Sequence, residues 1–151
     1  MLIRPALEED LPAIVSLLAD DRLGQAREDT SLPLDPGYGA AFAAIQSSSD
    51  QTLVVAEDAD GRVVGTLQLM LIPGLSRRGA WRGIIEGVRI ASDRRSEGLG
   101  AQLVDWAVEA CRRHGCYAVQ LTTDVSRLDA HRFYERLGFQ LTHKGYRKML
   151  K

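Results

Sequence analysis

Two glycines two positions apart, Gly98 and Gly100, stand where a helix is predicted to begin, at Leu99 to His114. The first N–H groups of a helix have no partner within it, and the helix dipole places partial positive charge there. Because glycine has no Cβ, the backbone can approach a ligand closely at these positions. The arrangement is typical of a site for an anion such as phosphate. Alternatively, the two glycines simply permit a tight turn between a strand and a helix.

A second candidate for chemistry is Glu86, within the predicted strand Arg82 to Ile90. Strict alternation places Glu86 on one face with Ile84, Val88 and Ile90, so that its carboxylate has aliphatic neighbours. Such surroundings raise the pKa of a carboxyl group unless a cation pairs with it. Glu86 is therefore either a group with a perturbed pKa or one half of a salt bridge with an arginine.

The first half of the chain predicts one strand and two helices. The strand is Leu2 to Arg4, and a helix follows from Glu8 to about Asp21, with apolar residues at helical spacing. Leu23 to Tyr38 is polar and interrupted by prolines and glycines, so it is either a binding loop or a plain connection. Ala40 to Ile45 predicts the second helix.

An antiparallel meander is predicted next. Thr52 to Glu57 and Arg62 to Ile72 are apolar and β-branched, and Asp58 to Gly61 between them is a strong turn signal. The strand with Glu86 continues the meander. The helix Leu99 to His114 has a broad apolar face, which indicates that it packs on a sheet.

The C-terminal third predicts a strand, a helix and a hairpin. Tyr117 to Leu121 follows the long helix and should lie parallel to the strand with Glu86, since a helix connects the two. Asp129 to Leu137 predicts the last helix. Phe139 to Thr142 and Tyr146 to Leu150 are expected to close the sheet as a hairpin. We expect one α/β domain over residues 1–151.

Composition excludes several classes of protein. Apolar residues make up 45% and charged residues 26%, as in ordinary globular proteins, and the net charge of −1 provides no basic footprint for nucleic acid. No apolar run is long enough for a membrane span, and the start lacks a signal peptide, so we expect a cytoplasmic protein. Cys111 and Cys116 should be reduced thiols, and the histidines show no metal-ligand spacing.

Two motifs together resemble the GNAT N-acetyltransferase superfamily. The first is the run from Ile90 to Gly100, in which Arg95, Gly98 and Gly100 match the family's cofactor motif: Arg or Gln, two residues, Gly, one residue, then Gly or Ala. The preceding strand of the family often carries a Glu, which Glu86 matches.

The second motif lies in the last predicted helix. The family's late helix often ends in Phe-Tyr, followed after a few residues by Gly-Phe, as Phe133-Tyr134 and Gly138-Phe139 do here. Many members have an Asn seven residues before this Tyr, where it contacts the pantetheine arm, and here the position is Arg127. Backbone groups or nearby polar side chains could replace the Asn, or Arg127 could reach a phosphate instead.

The resemblance implies a fold and a cofactor. The fold is a mixed, strongly twisted β-sheet of about six to seven strands with helices on both faces, and acetyl-CoA lies between the strands that begin at Arg82 and Tyr117. The residues expected to bind acetyl-CoA are Val88, Arg89, Ile90, Arg95, Ser96, Glu97, Gly98, Leu99, Gly100, Ala101, Arg127 and Tyr134. Their backbone N–H groups would hold the pyrophosphate and the thioester carbonyl.

The same resemblance implies two catalytic residues. An amine must lose a proton before it attacks the thioester and forms a tetrahedral intermediate, and Glu86 is the candidate base, directly or through water. Tyr134 is the candidate acid for the departing thiolate. The alternatives are that Glu86 forms a structural salt bridge and that Tyr134 is a core residue under the last hairpin.

The acceptor is expected to be a small-molecule primary amine, and the protein is a possible homodimer. The residues expected to bind the acceptor are Gln25, Arg27, Glu28, Tyr38 and Glu86. A protein N-terminus or lysine is an alternative acceptor, and a non-catalytic acyl-CoA sensor is an alternative function. A nucleotide-phosphate enzyme is disfavoured because no Gly-Lys-Ser/Thr follows the glycines.

Overall fold

The computed structural model describes residues 1–151, and a five-stranded mixed sheet forms its centre. The strands are β1 (Leu2–Pro5), β2 (Gln51–Glu57), β3 (Val63–Pro73), β4 (Trp81–Ile90) and β5 (Ala118–Leu121). They lie in the order β1-β2-β3-β4-β5. The first four are antiparallel to their neighbours, and β5 is parallel to β4. The predicted meander and the predicted parallel strand are both confirmed.

Six helices surround the sheet, the first of them preceded by a 3-10 turn at Glu8–Asp10. They are α1 (Leu11–Ala19), α2 (Arg22–Gln25), α3 (Pro36–Gln46), α4 (Ser76–Gly79), α5 (Leu99–His114) and α6 (Leu128–Arg136). Helix α3 begins before the predicted Ala40 because Asp35 accepts a hydrogen bond from the Gly37 N–H at 2.7 Å and Pro36 opens the helix. None of the helices is both long and apolar enough to cross a membrane.

The helices cover both faces of the sheet, as predicted. On one face, α5 buries Leu103, Val104 and Ala107 against β3 and β4. On the other face, α1 and α3 bury Ile14 and Phe42. Each core depends on a helix with a broad apolar side that removes aliphatic surface from water.

The predicted C-terminal hairpin does not form, and the sheet has five strands instead of six to seven. Residues 138–151 contain no strand, and from Gln140 onward the backbone makes no hydrogen bond within the chain. Alternating apolar residues can indicate a strand, but a strand forms only where another strand pairs with it. Phe139 is the last residue of this segment to pack, edge-on against Tyr134.

Close contact between α5 and β4 depends on Gly83. A Cβ at this position would overlap the Sγ of Cys111, while it would stand 3.5 Å from the Cys111 Cβ and 3.6 Å from the Cδ1 of Leu69. The sulfur atom alone therefore forbids a side chain here. Burial raises the pKa of the Cys111 thiol to about 11, which keeps it neutral in this contact.

We expect Gly83→Ala to destabilise the protein by about 1–3 kcal/mol through overpacking. Cys111→Ala removes the overlapping sulfur, so the double variant should be more stable than the sum of the two single changes predicts. Thermal denaturation of the four proteins measures this coupling. Additive changes in the free energy of unfolding would show that Gly83 is needed for another reason.

Candidate active site

Strand β4 contains one extra residue at Gly87. Glu86 pairs with Gln68 and Arg89 pairs with Thr66, so three steps along β4 oppose two along β3. Gly87 has φ +62°, a left-handed conformation that glycine adopts without strain. This β-bulge shifts the alternation of side chains by one residue.

The bulge corrects the predicted face of Glu86. Gly83 faces α5, so Glu86, three residues further along, faces the α1 side. Beyond the bulge, Ile90 lies beside Leu103 on the α5 side, whereas Arg89 lies on the α1 side, where it meets Asp21. Arg89 therefore shares a face with Glu86, and Ile90 does not.

Glu86 is an exposed carboxylate, which contradicts both interpretations of its surroundings. It is neither enclosed by aliphatic side chains nor paired with an arginine. The bulge accounts for this difference, because it turns Val88 and Ile90 away from the face that Glu86 occupies. The carboxylate is open to a ligand at the point where β4 bends.

Strands β4 and β5 separate just beyond Ile85. Their pairing runs from Arg82 with Ala118 to Ile85 with Leu121, and no strand pairs with Glu86–Ile90 on that side. Backbone groups that point to that side are therefore not used by a neighbouring strand, although the carbonyls of Val88 and Ile90 accept hydrogen bonds from the side chains of Arg89 and Arg95. We call this opening the β4–β5 cleft; Arg127 and Tyr134 lie close enough to Arg89 to act on it electrostatically.

The loop before α5 presents a series of unpaired N–H donors. None of the N–H groups from Arg95 to Ala101 donates to a backbone carbonyl of the chain, and no side chain caps the helix. Ser96 and Gly98 have φ of +67° and +78°, and nothing lies within 4 Å of the Gly98 Cβ position. Consecutive donors in such a conformation form a concave anion site, so the loop fits a pyrophosphate.

Arg95 holds this donor loop in place. Its guanidinium donates to the carbonyl of Asp20 at 2.7 Å and to that of Ile90 at 3.3 Å, which links the end of α1 to the end of β4. Glu97 is paired with Arg94 at 2.9 Å.

The start of α5 packs against α6. Gly100 faces the Phe133 ring, and a Cβ at Gly100 would lie 3.2 Å from the Cζ of Phe133, so a larger residue would push α6 away. Leu99 is buried.

Three arginines surround Asp21 beside the cleft. The Oδ2 of Asp21 lies 3.5 Å from an Nη2 of Arg89 and 3.5 Å from an Nη2 of Arg127. Arg27 is close enough to act on both Asp21 and Arg89 electrostatically. We call Arg27, Arg89, Arg127 and Asp21 the arginine cluster. With three cations and one anion it carries a net positive charge.

The arginine cluster has unused binding capacity. The side chain of Arg89 is only 12% exposed, and its Nε has no acceptor. Burial lowers the pKa of Arg89, and Asp21 opposes that effect. Burial works to raise the pKa of Asp21, but the Gly24 N–H and the arginines outweigh it, so the pKa lies below its usual value. The single carboxylate of Asp21 thus compensates the charge of several guanidinium groups only in part.

Tyr134 is largely enclosed at the edge of the cleft. Its ring packs edge-on against Phe133 at 5.0 Å and Phe139 at 5.9 Å between ring centroids. Burial raises the pKa of the phenol, although Arg127 and Arg89 work to lower it. The hydroxyl therefore keeps its proton at neutral pH.

The residues expected to bind the acceptor are only partly brought together. Arg27 joins the arginine cluster. The Tyr38 hydroxyl donates to Glu28 at 2.8 Å and accepts from the Asp29 N–H at 3.1 Å, so these residues shape the loop before α3. Gln25 lines a different depression, beside Glu9, Thr30 and Asp93, away from Glu86.

Two important residues escaped the sequence analysis. Asp21 was taken only as the end of a helix, and nothing local reveals that it meets Arg89 and Arg127. Gly87 did offer a signal, since an isolated glycine inside a strand often marks a bulge.

Comparisons with known proteins agree with this geometry. The Acetyltransferase (GNAT) family matches residues 12–139. The aminoalkylphosphonate N-acetyltransferase of Salmonella typhimurium is 35% identical over 91 residues, which cover 60% of this chain and 58% of that protein. The glucosamine 6-phosphate N-acetyltransferase of Trypanosoma brucei brucei is 36% identical over 96 residues, which cover 64% and 63%. This chain thus matches about three fifths of the length of each relative.

A solved structure extends the comparison to nearly the whole chain. A protein from Bacillus halodurans C-125, described as a transcriptional regulator, has a TM-score of 0.95 and 45% identity over 99% of both chains. The fold class, the glycine loop before α5 and the separation of β4 from β5 agree with the family match. The chain therefore belongs to the GNAT acetyltransferase family, whose members use acetyl-CoA.

Proposed function

We propose that residues 1–151 form one domain that transfers the acetyl group of acetyl-CoA to a primary amine of a small molecule carrying a phosphate, phosphonate or similar anionic group. The observation that carries this proposal is the shared face of β4. Glu86 and Arg89 flank the bulge on the same side, so that one ligand could contact both the exposed carboxylate and the arginine cluster. The names of the two relatives, which act on a phosphonate and a phosphate ester, support this acceptor class.

The donor loop and the free edge of β4 would hold acetyl-CoA. The N–H groups from Arg95 to Ala101 would bind the pyrophosphate, and the open edge at Val88–Ile90 would bind the pantetheine amides. Acetyl-CoA supplies an acetyl group activated as a thioester. An N–H of this β4 edge would stabilise the oxyanion that develops during attack.

Glu86 and Tyr134 would divide the proton transfers. The exposed carboxylate of Glu86 can accept the proton of the ammonium group, directly or through water. Tyr134 keeps its proton because burial raises its pKa, and it would donate that proton to the departing thiolate. Direct transfer would require the two groups to reach the amine and the thioester sulfur from different sides.

The arginine cluster would bind the anionic group of the acceptor. Arg27 and Arg127 are accessible, and Asp21 neutralises only part of the charge around it. An anion could accept charge-assisted hydrogen bonds from these guanidiniums. Arg127 replaces the family's usual Asn, which gives this position a cation suited to that task.

A second candidate function is a non-catalytic acetyl-CoA sensor. It is favoured by one specific observation, the description of the Bacillus halodurans protein as a transcriptional regulator. A sensor would keep the donor loop and would need neither Glu86 nor Tyr134. Turnover of an amine separates the two functions.

The experiment for the proposed function is an amine panel assayed with acetyl-CoA through release of free thiol. We expect aminoalkylphosphonates and amino sugar phosphates to exceed the matched unphosphorylated amines in kcat/KM. Arg127→Gln should lower kcat/KM about 10- to 100-fold for the anionic amines only, because each charge-assisted hydrogen bond contributes about 1.5–3 kcal/mol. Arg136→Gln, an exposed change at the last residue of the helix that follows Arg127, is the control. Equal losses for charged and uncharged amines would reject the anion site, and no turnover with tight binding of CoA would favour the sensor.

Glu86→Gln should lower kcat/KM for the amine by about 10²–10⁴-fold at neutral pH, the usual range for general acid–base catalysis. Raising the pH should restore much of the loss, since the amine then arrives deprotonated. A pH–rate profile of the variant beside that of Glu135→Gln, an exposed carboxylate on α6, provides the measurement. A profile that runs parallel to the parent at every pH would instead assign Glu86 a positioning role.

Tyr134→Phe keeps both ring contacts and removes only the hydroxyl. We expect an unchanged melting temperature, unchanged affinity for acetyl-CoA and a kcat lower by about 10- to 10³-fold. Tyr117→Phe, at a half-exposed tyrosine stacked under Arg77, is the matched control. Full turnover in the folded Tyr134 variant would leave the thiolate to be protonated by water.

A further inference from the structure

The donor loop receives little support from its own backbone. Of the N–H groups from Ala91 to Gly98, only those of Ala91 and Arg94 donate to a backbone carbonyl. Free N–H groups suit an anion, but they leave the shape of the loop to other contacts. A loop that binds through such groups gains affinity when they are held in position before the ligand arrives.

Side chains support the loop from two directions. On one side, Asp20 at the end of α1 accepts a hydrogen bond from the Ser92 N–H at 2.9 Å, and its carbonyl accepts one from Arg95. On the other side lies the connection between β2 and β3, residues 58–62, which we call the β2–β3 turn. The loop is therefore held between α1 and this turn.

Two arginines connect the β2–β3 turn with the segment that leads into the donor loop. Arg62 in the turn donates to both carboxylate oxygens of Asp93, at 2.6 and 3.0 Å. In the opposite direction, Arg94 donates to Asp58 in the turn at 2.9 Å. The side chains of the first pair are more than half exposed, whereas those of Arg94 and Asp58 are 30% and 12% exposed. Water and salt screen the first pair more, so the second pair is the stronger link.

Arg94 also holds a carboxylate that belongs to the donor loop itself. Its Nε donates to the two oxygens of Glu97, at 2.9 and 3.1 Å, while its Nη1 donates to Asp58. An uncompensated carboxylate in this loop would repel a pyrophosphate. One guanidinium, held by carboxylates on two sides, therefore offsets the charge of Glu97 and fixes its place.

The β2–β3 turn fixes the orientation of Asp58. The Oδ1 of Asp58 accepts hydrogen bonds from the N–H groups of Asp60 and Arg62, both at 3.0 Å, which leaves Oδ2 for Arg94. The hydrogen bond from the Arg62 N–H is the main cause that lowers the pKa of the Asp58 carboxyl. Asp58 is therefore charged at neutral pH and points one oxygen at Arg94.

We propose that Asp58 and Arg94 are positioning residues for the cofactor: Asp58 orients Arg94, and Arg94 holds Glu97 and the donor loop in the conformation that binds the pyrophosphate of acetyl-CoA. This inference rests on the proposed role of the donor loop. It adds to that loop an element, the β2–β3 turn, that lies outside the cofactor motif.

The two ways in which Asp58 can affect an anion have opposite signs. Through its charge alone, a carboxylate near the donor loop repels the phosphates, so removing the charge should strengthen the binding of CoA. As a positioning residue, Asp58 strengthens binding through Arg94, so removing its charge should weaken it. The sign of the change in affinity therefore separates the two roles.

Calorimetric titration with CoA measures this sign. Asp58→Asn keeps an Oδ1 for the two N–H groups of the turn and removes the charge that orients Arg94. We expect the variant to bind CoA about 3- to 10-fold more weakly than the parent, within the range over which contacting residues couple. Asp60→Asn, an exposed change in the same turn, should not weaken binding. Unchanged or tighter binding by Asp58→Asn, or an equal loss in the Asp60 variant, would overturn the proposal.

A double-variant cycle tests whether Asp58 acts through Arg94. In an Arg94→Gln background, Asp58→Asn should change the Kd for CoA less than about 2-fold, because the residue that it orients is gone. An undiminished loss in that background would contradict the proposed route.

Steady-state kinetics separate positioning from a role in the chemical step. With an amine that the parent acetylates, Asp58→Asn should raise the KM for acetyl-CoA and leave kcat unchanged. A lower kcat with an unchanged KM would contradict a positioning role. A parent that binds no CoA would overturn the donor loop together with this inference, whereas binding without turnover would overturn only the proposed transfer, and the calorimetric comparison would still decide the role of Asp58.

Discussion

The extra residue in β4 at Gly87 is the feature on which the rest of the site depends. It bends the strand where β5 stops following it, so the backbone beyond Ile85 has no partner on that side. It also turns Arg89 onto the face of Glu86. One inserted residue thus leaves an unpaired stretch of β4 and, beside it, brings Arg89 into the arginine cluster on the face of Glu86.

Burial of Arg89 then determines the position of the α1–α2 segment. A guanidinium taken out of water is costly unless a carboxylate compensates it, and Asp21 is the carboxylate that reaches it. Because the same Oδ2 also meets Arg127, this ion pair connects α1, β4 and the start of α6. The walls of the cleft are therefore held by charge as well as by apolar packing.

The two candidate proton-transfer groups differ in exposure, as their proposed roles require. Glu86 stands in the open, where an incoming amine can reach it. Tyr134 is enclosed by Phe133 and Phe139, and burial raises its pKa so that it keeps a proton to donate. The exposed carboxylate is suited to accepting a proton, and the enclosed phenol is suited to donating one.

The sequence by itself determined whatever depends on near neighbours. The period of the apolar residues in Leu99–His114, the glycine that ends this helix and the glycines before it are local signals, and each predicted its element and the donor loop correctly. Glu86 and Tyr134 were also proposed as proton-transfer groups from local motifs, and that assignment remains a prediction. These features need only a few consecutive residues to specify them.

Only the tertiary structure decided the surroundings of these residues. Asp21 meets Arg89 across 68 positions of the chain, and the packing of α1 on the sheet brings them together. Strict alternation predicted aliphatic neighbours on both sides of Glu86. That prediction was wrong because β4 has an extra residue at Gly87 where it pairs with β3. The prediction of a closing hairpin was wrong because it too depended on strand pairing. Strand propensity is local, but a strand exists only where another strand pairs with it.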